Sequence, residues 1–236
     1  MRVVSFLLAA SVFVIALVAS FGFGRKAAVE PKLPTGDRVA ALDKNMETDA
    51  IVVAGGCFWC IEPLFEMVPG VTEVEVAYAG GKRSGVTYEQ VSTASTGHAE
   101  AVKVTFDPAR VSAKELLELF FTIHDPTTKD SQGPDFGPQY RSAVFYRNDE
   151  ERALMQGVMD EVNKAKIWPK PVVTTLEPLV NYTRAEEYHQ DYYKKFETAS
   201  FTQKMGMNVS YCTAIIEPKV RKFKEKILKQ LKEKQQ

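Results

Sequence analysis

Two stretches of this chain alternate apolar and polar residues with a period of two, and that pattern limits the fold more than any other feature. Val71–Tyr78 places Val74, Val76 and Tyr78 on one face. Glu100–Phe106 places Val102, Val104 and Phe106 on one face and Lys103 and Thr105 on the other. Successive side chains of a strand point to opposite sides, so both stretches read as strands with one face buried and one half-polar. Ala50–Ala54, Ser142–Tyr146 and Val172–Leu176 are further short strand candidates. Between them the period changes to that of a helix. Ser112 with Glu115 forms a capping box ahead of an apolar stripe of Leu116, Leu119, Phe120 and Ile123. Asn148 and Glu151 cap a second helix with Met155, Val158, Met159 and Val162 turned inward. Pro218 starts a last, lysine-rich amphipathic helix carrying Val220, Phe223, Ile227 and Leu231. The spacing predicts an α+β fold, a two-layer sandwich in which helices pack on a ferredoxin-like mixed or antiparallel sheet.

The N-terminus has a different character. No charged side chain occurs from Val3 to Gly24. As a helix this run reaches roughly 33 Å at about 1.5 Å per residue, close to a bilayer core of about 30 Å. Residues 1–24 read as a signal peptide, with Val18-Ala19-Ser20 as a small-residue cleavage site, or as a retained membrane anchor. Either places the rest outside the cytoplasm: periplasmic, secreted, or anchored and facing outward. Residues 25–48 contain Pro31, Pro34 and Gly36 without a sustained period and read as a linker. The organisation expected beyond it is a catalytic domain over 49–217 and the basic helix over 218–236. Thirty basic and thirty acidic residues balance, so no bulk basic field attracts nucleic acid.

The chain holds three cysteines, Cys57, Cys60 and Cys212, too few for a disulfide framework. Cys57 and Cys60 fall in Gly55-Gly56-Cys57-Phe58-Trp59-Cys60, between a strand and a helix. Two glycines permit a tight turn, which sets Cys57 at or before the helix N-terminus. Free amides and the helix dipole there favour a thiolate and lower the thiol pKa. Phe58 and Trp59 place two rings beside the thiol, suited to a methyl or thioether group or to ordinary core packing. Pro63 must lie near the first turn of this helix or kink it. A second CxxC is absent and His98, His124 and His189 are scattered, so no metal is expected.

Gly56-Cys57-Phe58-Trp59 resembles the signature of the A-type peptide methionine sulfoxide reductases. Further blocks are similar in the same order: Tyr78-Ala79-Gly80-Gly81, Thr96-Gly97-His98-Ala99-Glu100, His124-Asp125-Pro126-Thr127-Thr128, Gln132-Gly133-Pro134-Asp135, Gln139-Tyr140-Arg141-Ser142 and Glu187-Tyr188-His189-Gln190. The resemblance runs from about Ile51 to Tyr193. It implies a thiol enzyme that reduces the S epimer of methionine sulfoxide, free or in proteins, in the repair of oxidative damage. It implies that Cys57 is the nucleophile and that Glu100 is the acid. Tyr78 and Tyr140 would donate to the sulfoxide oxygen, Asp135 would hold the site, and Phe58 and Trp59 would hold the substrate methyl. The residues support Glu100 on their own, because its strand parity aims it into the apolar layer, where a carboxyl keeps its proton. A Cys57 sulfenic acid needs a second thiol. Cys60 replaces the glycine that commonly follows the tryptophan and lies one turn on. Cys212 is the rival, on a tail expected to be mobile, and the two could act in series or give way to an external thiol. No bound cofactor is expected; a thioredoxin-like dithiol protein is the expected reductant, and the chain is expected to be a monomer. Two other functions remain open: a general CxxC thiol–disulfide oxidoreductase, and a non-catalytic, membrane-tethered module that binds methionine-containing peptides.

Overall fold

The computed structural model describes residues 49–233, with side chains described up to residue 227. The expected signal or anchor segment and the linker lie outside the described residues. In chain order the elements are β1 (Asp49–Gly55), α1 (Phe58–Glu66), β2 (Val71–Ala79), α2 (Tyr88–Ser92), β3 (Ala99–Phe106) and α3 (Ala113–Ile123). A small hairpin of β4 (Ser131–Gln132) and β5 (Asp135–Phe136) and a 3-10 turn (Pro138–Tyr140) follow. Then come β6 (Ser142–Tyr146), α4 (Asp149–Ala165), β7 (Thr175–Pro178), β8 (Thr183–Arg184), α5 (Tyr192–Thr198), α6 (Phe201–Lys204), α7 (Val209–Tyr211), a π turn (Cys212–Ile216) and α8 (Glu217–Glu233).

Six strands form one mixed sheet in the order β7-β6-β1-β3-β2-β8. Among the described residues, only the β6–β7 pair of this sheet is parallel. The period-two stretches pair with each other, Val74 opposite Val104, Val76 opposite Val102 and Tyr78 opposite Glu100. One sheet face carries Val53, Val76, Val102, Val104 and Val144 into the main core against the helices. The other face carries mostly small side chains, Ala54, Ala79, Ala99, Ala101 and Ala143, around Phe145, with Leu179 and Tyr182 packed on it. The expected α+β two-layer sandwich is therefore the observed one, with most apolar burial on the helix side.

Caps fix the helix starts. Ser112 accepts from the Glu115 amide, and the Glu115 carboxyl accepts from the Ser112 amide at 2.8 Å. Asn148 accepts from the Glu151 amide at 2.8 Å, while the Glu151 carboxylate reaches back to the Arg147 amide. Each such cap is worth about 1 kcal/mol. Arg141 forks onto Glu177 at 2.9 and 2.8 Å and ties β6 to β7.

Pro63 lies at the sixth residue of α1, past the first turn, and the helix runs on to Glu66. Two expectations are corrected. The strand expected over Val172–Leu176 begins at Thr175, because the Val172 and Val173 amides are taken by Asn163 and the Pro126 carbonyl. The last helix does not begin at Pro218: helical backbone runs from Val209 onward. The π turn ahead of the proline bonds the Glu217 amide to the Cys212 carbonyl five residues back. Val220 and Phe223 are buried, so this helix packs into the core cluster as well as facing solvent.

Candidate active site

The turn between β1 and α1 sets the first cysteine. Gly56 has φ +94°, and a Cβ there would lie 2.5 Å from Gln132, whose amide group is fixed by both bonds to the Asp125 backbone. Only glycine meets both demands. Cys57 follows as the N-cap residue of α1 and is 7% exposed. The first helical amide, that of Phe58, donates to Glu100 Oε2 at 3.1 Å. Glu100 reaches it from β3, on the same face as Val102, Val104 and Phe106.

Burial dominates the charges here. It pushes the Glu100 carboxyl up to about 8, against the opposing bond from the Phe58 amide. Burial also pushes the Cys57 thiol up, with Cys60 and Glu100 adding to the rise. The lowered Cys57 pKa expected from the helix terminus is thus overturned by desolvation of a thiol inside the core. The lowered value belongs to Cys60, brought down to about 7 chiefly by its hydrogen bond with Cys57. The two thiols are hydrogen-bonded to each other and titrate as a pair.

All three cysteines are free and buried. Cys212 does not sit on a mobile tail. It is 0% exposed in the π turn packed on α1 and α5. Burial, then the Cys60 charge, pushes its thiol up to about 11.

Phe58 is fully buried under the site, its ring 5.9 Å from Tyr78 and 5.1 Å from His189. Trp59 is half-buried and stacks on Tyr192 at 3.7 Å. Tyr140, at the end of the 3-10 turn, is half-buried. Burial and then the charges of Glu100 and Cys57 push its phenol up. Asp135 accepts from Tyr211 at 2.6 Å, and burial pushes its carboxyl up.

Tyr78 departs from expectation. It points into the sheet's apolar face and is 0% exposed, yet its hydroxyl donates to Glu186 at 2.8 Å. The same carboxylate accepts from the Tyr88 amide at 2.8 Å and so anchors the start of α2. The Tyr88 phenol, pushed up first by burial, feels the charges of Glu100, Cys57 and Asp135. Tyr88 and Tyr211 are the site residues that the motif reading passed over. Neither falls in a strand pattern, and both arrive by long-range contacts.

Burial disfavours the charged form of His124 and of His189. His124 Nδ1 donates to the Phe120 carbonyl at 2.7 Å, which leaves Nε2 to accept from Ser142 at 2.7 Å. Burial holds its pKa down to about 4. His189 lies among the rings of Phe58, Trp59, Tyr88 and Tyr188, and burial lowers it to about 4 as well. Among the described residues, no group of three or more His, Cys, Asp or Glu side chains converges on a point where a metal ion would sit.

A thiol pair sharing one proton, beside a carboxyl that stays protonated at neutral pH, is equipped to take an atom from a substrate and pass the resulting oxidation to a neighbouring sulfur. On this α+β scaffold that places the chain among the thiol-dependent oxidoreductases. Comparison with known proteins gives the family. Residues 49–232 match the family model described as Peptide methionine sulfoxide reductase. Peptide methionine sulfoxide reductase MsrA 1 of Rhodopirellula baltica is 43% identical over 195 residues, 83% of this chain and 90% of that protein. The enzyme MsrA of Methanosarcina acetivorans is 51% identical over 142 residues, covering 60% of this chain and 76% of that one. Among solved structures, reduced Mxr1 of Saccharomyces cerevisiae superposes with a TM-score of 0.60 at 33% identity, covering 68% of this chain and 95% of that one. Methionine sulfoxide reductase A of Corynebacterium diphtheriae does so with 0.56 at 32% identity, covering 65% and 77%. The chain belongs to the peptide methionine sulfoxide reductase family, A type, and is an oxidoreductase.

Proposed function

We propose that the chain reduces the S epimer of methionine sulfoxide, free or within oxidised proteins, through a sulfenic acid on Cys57. The observation that carries this reading is the bond from the Phe58 amide to Glu100 at 3.1 Å, which holds a protonated carboxyl beside the residue following Cys57. Cys57 passes its proton to the Cys60 thiolate and attacks the sulfoxide sulfur. Glu100 protonates the oxygen, which transfers to Cys57 as the sulfide leaves. The products are methionine, Cys57 sulfenic acid, a protonated Cys60 and an ionised Glu100, so protons and charge balance.

Tyr88 and Tyr140 donate to the sulfoxide oxygen. Tyr78, whose hydroxyl is given to Glu186, instead braces the strand and the start of α2. Trp59 holds the substrate methyl, with buried Phe58 as the floor beneath it, and Asp135 steadies the mouth of the site. Cys60 resolves the sulfenic acid, and Cys212, whose thiol feels the Cys60 charge, passes the disulfide on toward a thioredoxin-like dithiol protein. The chain works without a bound cofactor and as a monomer. The uncharged run from Val3 to Gly24 supports a place outside the cytoplasm, so the reductant acts there too.

The test is turnover of a methionine sulfoxide peptide with a dithiol reductant and separation of the two epimers. Loss of the S epimer alone, abolished in Cys57→Ser, is expected. Loss of both epimers, or none, would overturn the reading. Insulin reduction without sulfoxide reduction would favour plain thiol–disulfide exchange, and peptide binding without turnover a binding module.

A further inference from the structure

Tyr211 makes two contacts that oxygen transfer to Cys57 does not use. Its hydroxyl donates to Asp135 Oδ2 at 2.6 Å and lies 3.5 Å from Cys60 Sγ. A phenol has one proton. With that proton directed to Asp135, the oxygen turns a lone pair toward Cys60, so a protonated Cys60 donates to Tyr211 while Tyr211 donates to Asp135. The ring is fixed edge-on to Trp59 at 6.3 Å, and Asn208 caps its backbone amide at 3.1 Å.

We infer that Tyr211 is a proton relay that activates Cys60 for the second half of the reaction, with Asp135 as the receiving base. The inference rests on the sulfenic acid reading above, in which Cys60 emerges protonated and must lose that proton to become a nucleophile. The Cys60 proton moves to the Tyr211 oxygen as the Tyr211 proton moves to Asp135. The Cys60 thiolate then attacks the Cys57 sulfur. The S–S bond forms, the S–O bond breaks, and the departing hydroxide takes a proton from Glu100, reprotonated by solvent. One sulfenic acid and one thiol give one disulfide and one water. The Cys60 sulfur is oxidised and the Cys57 sulfur reduced.

The relay also bears on which thiol resolves. Cys60 has a hydroxyl and a carboxylate in line to take its proton, whereas burial pushes the Cys212 thiol up to about 11. Tyr211 lies next to Cys212 in sequence, so attack by Cys212 would pull the π turn and the relay away together.

The experiment uses Tyr211→Phe in a Cys212→Ser background, so that any disulfide within the chain joins Cys57 to Cys60. Cys57 is oxidised either with one equivalent of methionine sulfoxide or with hydrogen peroxide. Rapid quench then gives the rates of sulfenic acid formation and of disulfide formation. The expected result is a disulfide step slowed roughly tenfold or more relative to oxygen transfer. The disulfide step of the variant should also gain a dependence on pH, because Cys60 must then lose its proton to solvent. An unchanged ratio of the two rates, or equal slowing of both, would overturn the relay, as would absence of a Cys57–Cys60 disulfide when Tyr211 is intact. If peroxide shows the slowing while the sulfoxide yields no methionine, the relay stands and the sulfoxide reading falls.

Discussion

Replacing Glu100 by Gln removes a proton while keeping the shape and an oxygen for the Phe58 amide. Glu100 is 3% exposed, and burial pushes its carboxyl from 4.5 up to about 8. A pKa raised by folding means stability that is fully present below pH 4.5 and is lost as pH rises through about 8. Between those limits the wild type loses about 1.4 kcal/mol per pH unit through this group. Gln has no proton to lose. Buried Glu62, also raised to about 8, adds the same slope to both proteins and cancels in the difference. Between pH 5 and 8 the stability gap between Glu100→Gln and wild type therefore shifts by about 3 to 4 kcal/mol in favour of the variant. Urea unfolding at unit pH steps, with thiols kept reduced and followed by tryptophan fluorescence, measures the gap directly. In the same variant, oxygen transfer should fall roughly 10² to 10⁴-fold and not recover at low pH. Parallel pH–stability curves for the two proteins would refute a buried, protonated Glu100, and the acid role would go with it.

Other consequences follow from single contacts. Gly56→Ala forces a side chain onto Gln132 at a positive φ, so urea unfolding should show a loss of about 2 to 4 kcal/mol. Glu62 accepts from the Asp191 and Tyr192 amides at 2.6 and 3.1 Å, tying α1 to the start of α5. Glu62→Ala strands both donors and should cost about 2 to 4 kcal/mol, with Glu62→Gln recovering part of it by the same measurement. Tyr88→Phe and Tyr140→Phe should each lower kcat/KM by roughly 10² to 10³. Tyr78→Phe should leave kcat/KM within about threefold of wild type while costing about 1 kcal/mol of stability.

Where burial and periodicity coincide, the sequence was sufficient. β3, α3 and α4 follow from one-face apolar spacing, with capping side chains on the two helices, and Met155, Val158, Met159 and Val162 are the buried residues of α4. Glu100 could be aimed because parity along a strand determines its face. Parity does not say which end of that face meets the thiol. Tyr78 shares the buried face, but its hydroxyl is drawn to Glu186, a residue distant in sequence. Tyr88 reaches the site only because that carboxylate also binds its amide. Two-residue β8 is too short to leave a period and exists through pairing with Ala77 and Tyr78. The helix terminus acts on Cys57 locally and is outweighed by the desolvation that tertiary packing imposes, which no spacing of residues reveals.

In the proposed reaction Cys57 takes the sulfoxide oxygen. A Cys60→Ser, Cys212→Ser protein, given methionine sulfoxide without any reductant, has no thiol left to resolve the intermediate. Although slowed by loss of the Cys60 thiolate that takes the Cys57 proton, the reaction should still release one methionine per protein molecule and leave one added oxygen atom, located by peptide mass spectrometry on Cys57. Methionine release without oxygen on Cys57, or oxygen found on another residue, would contradict it.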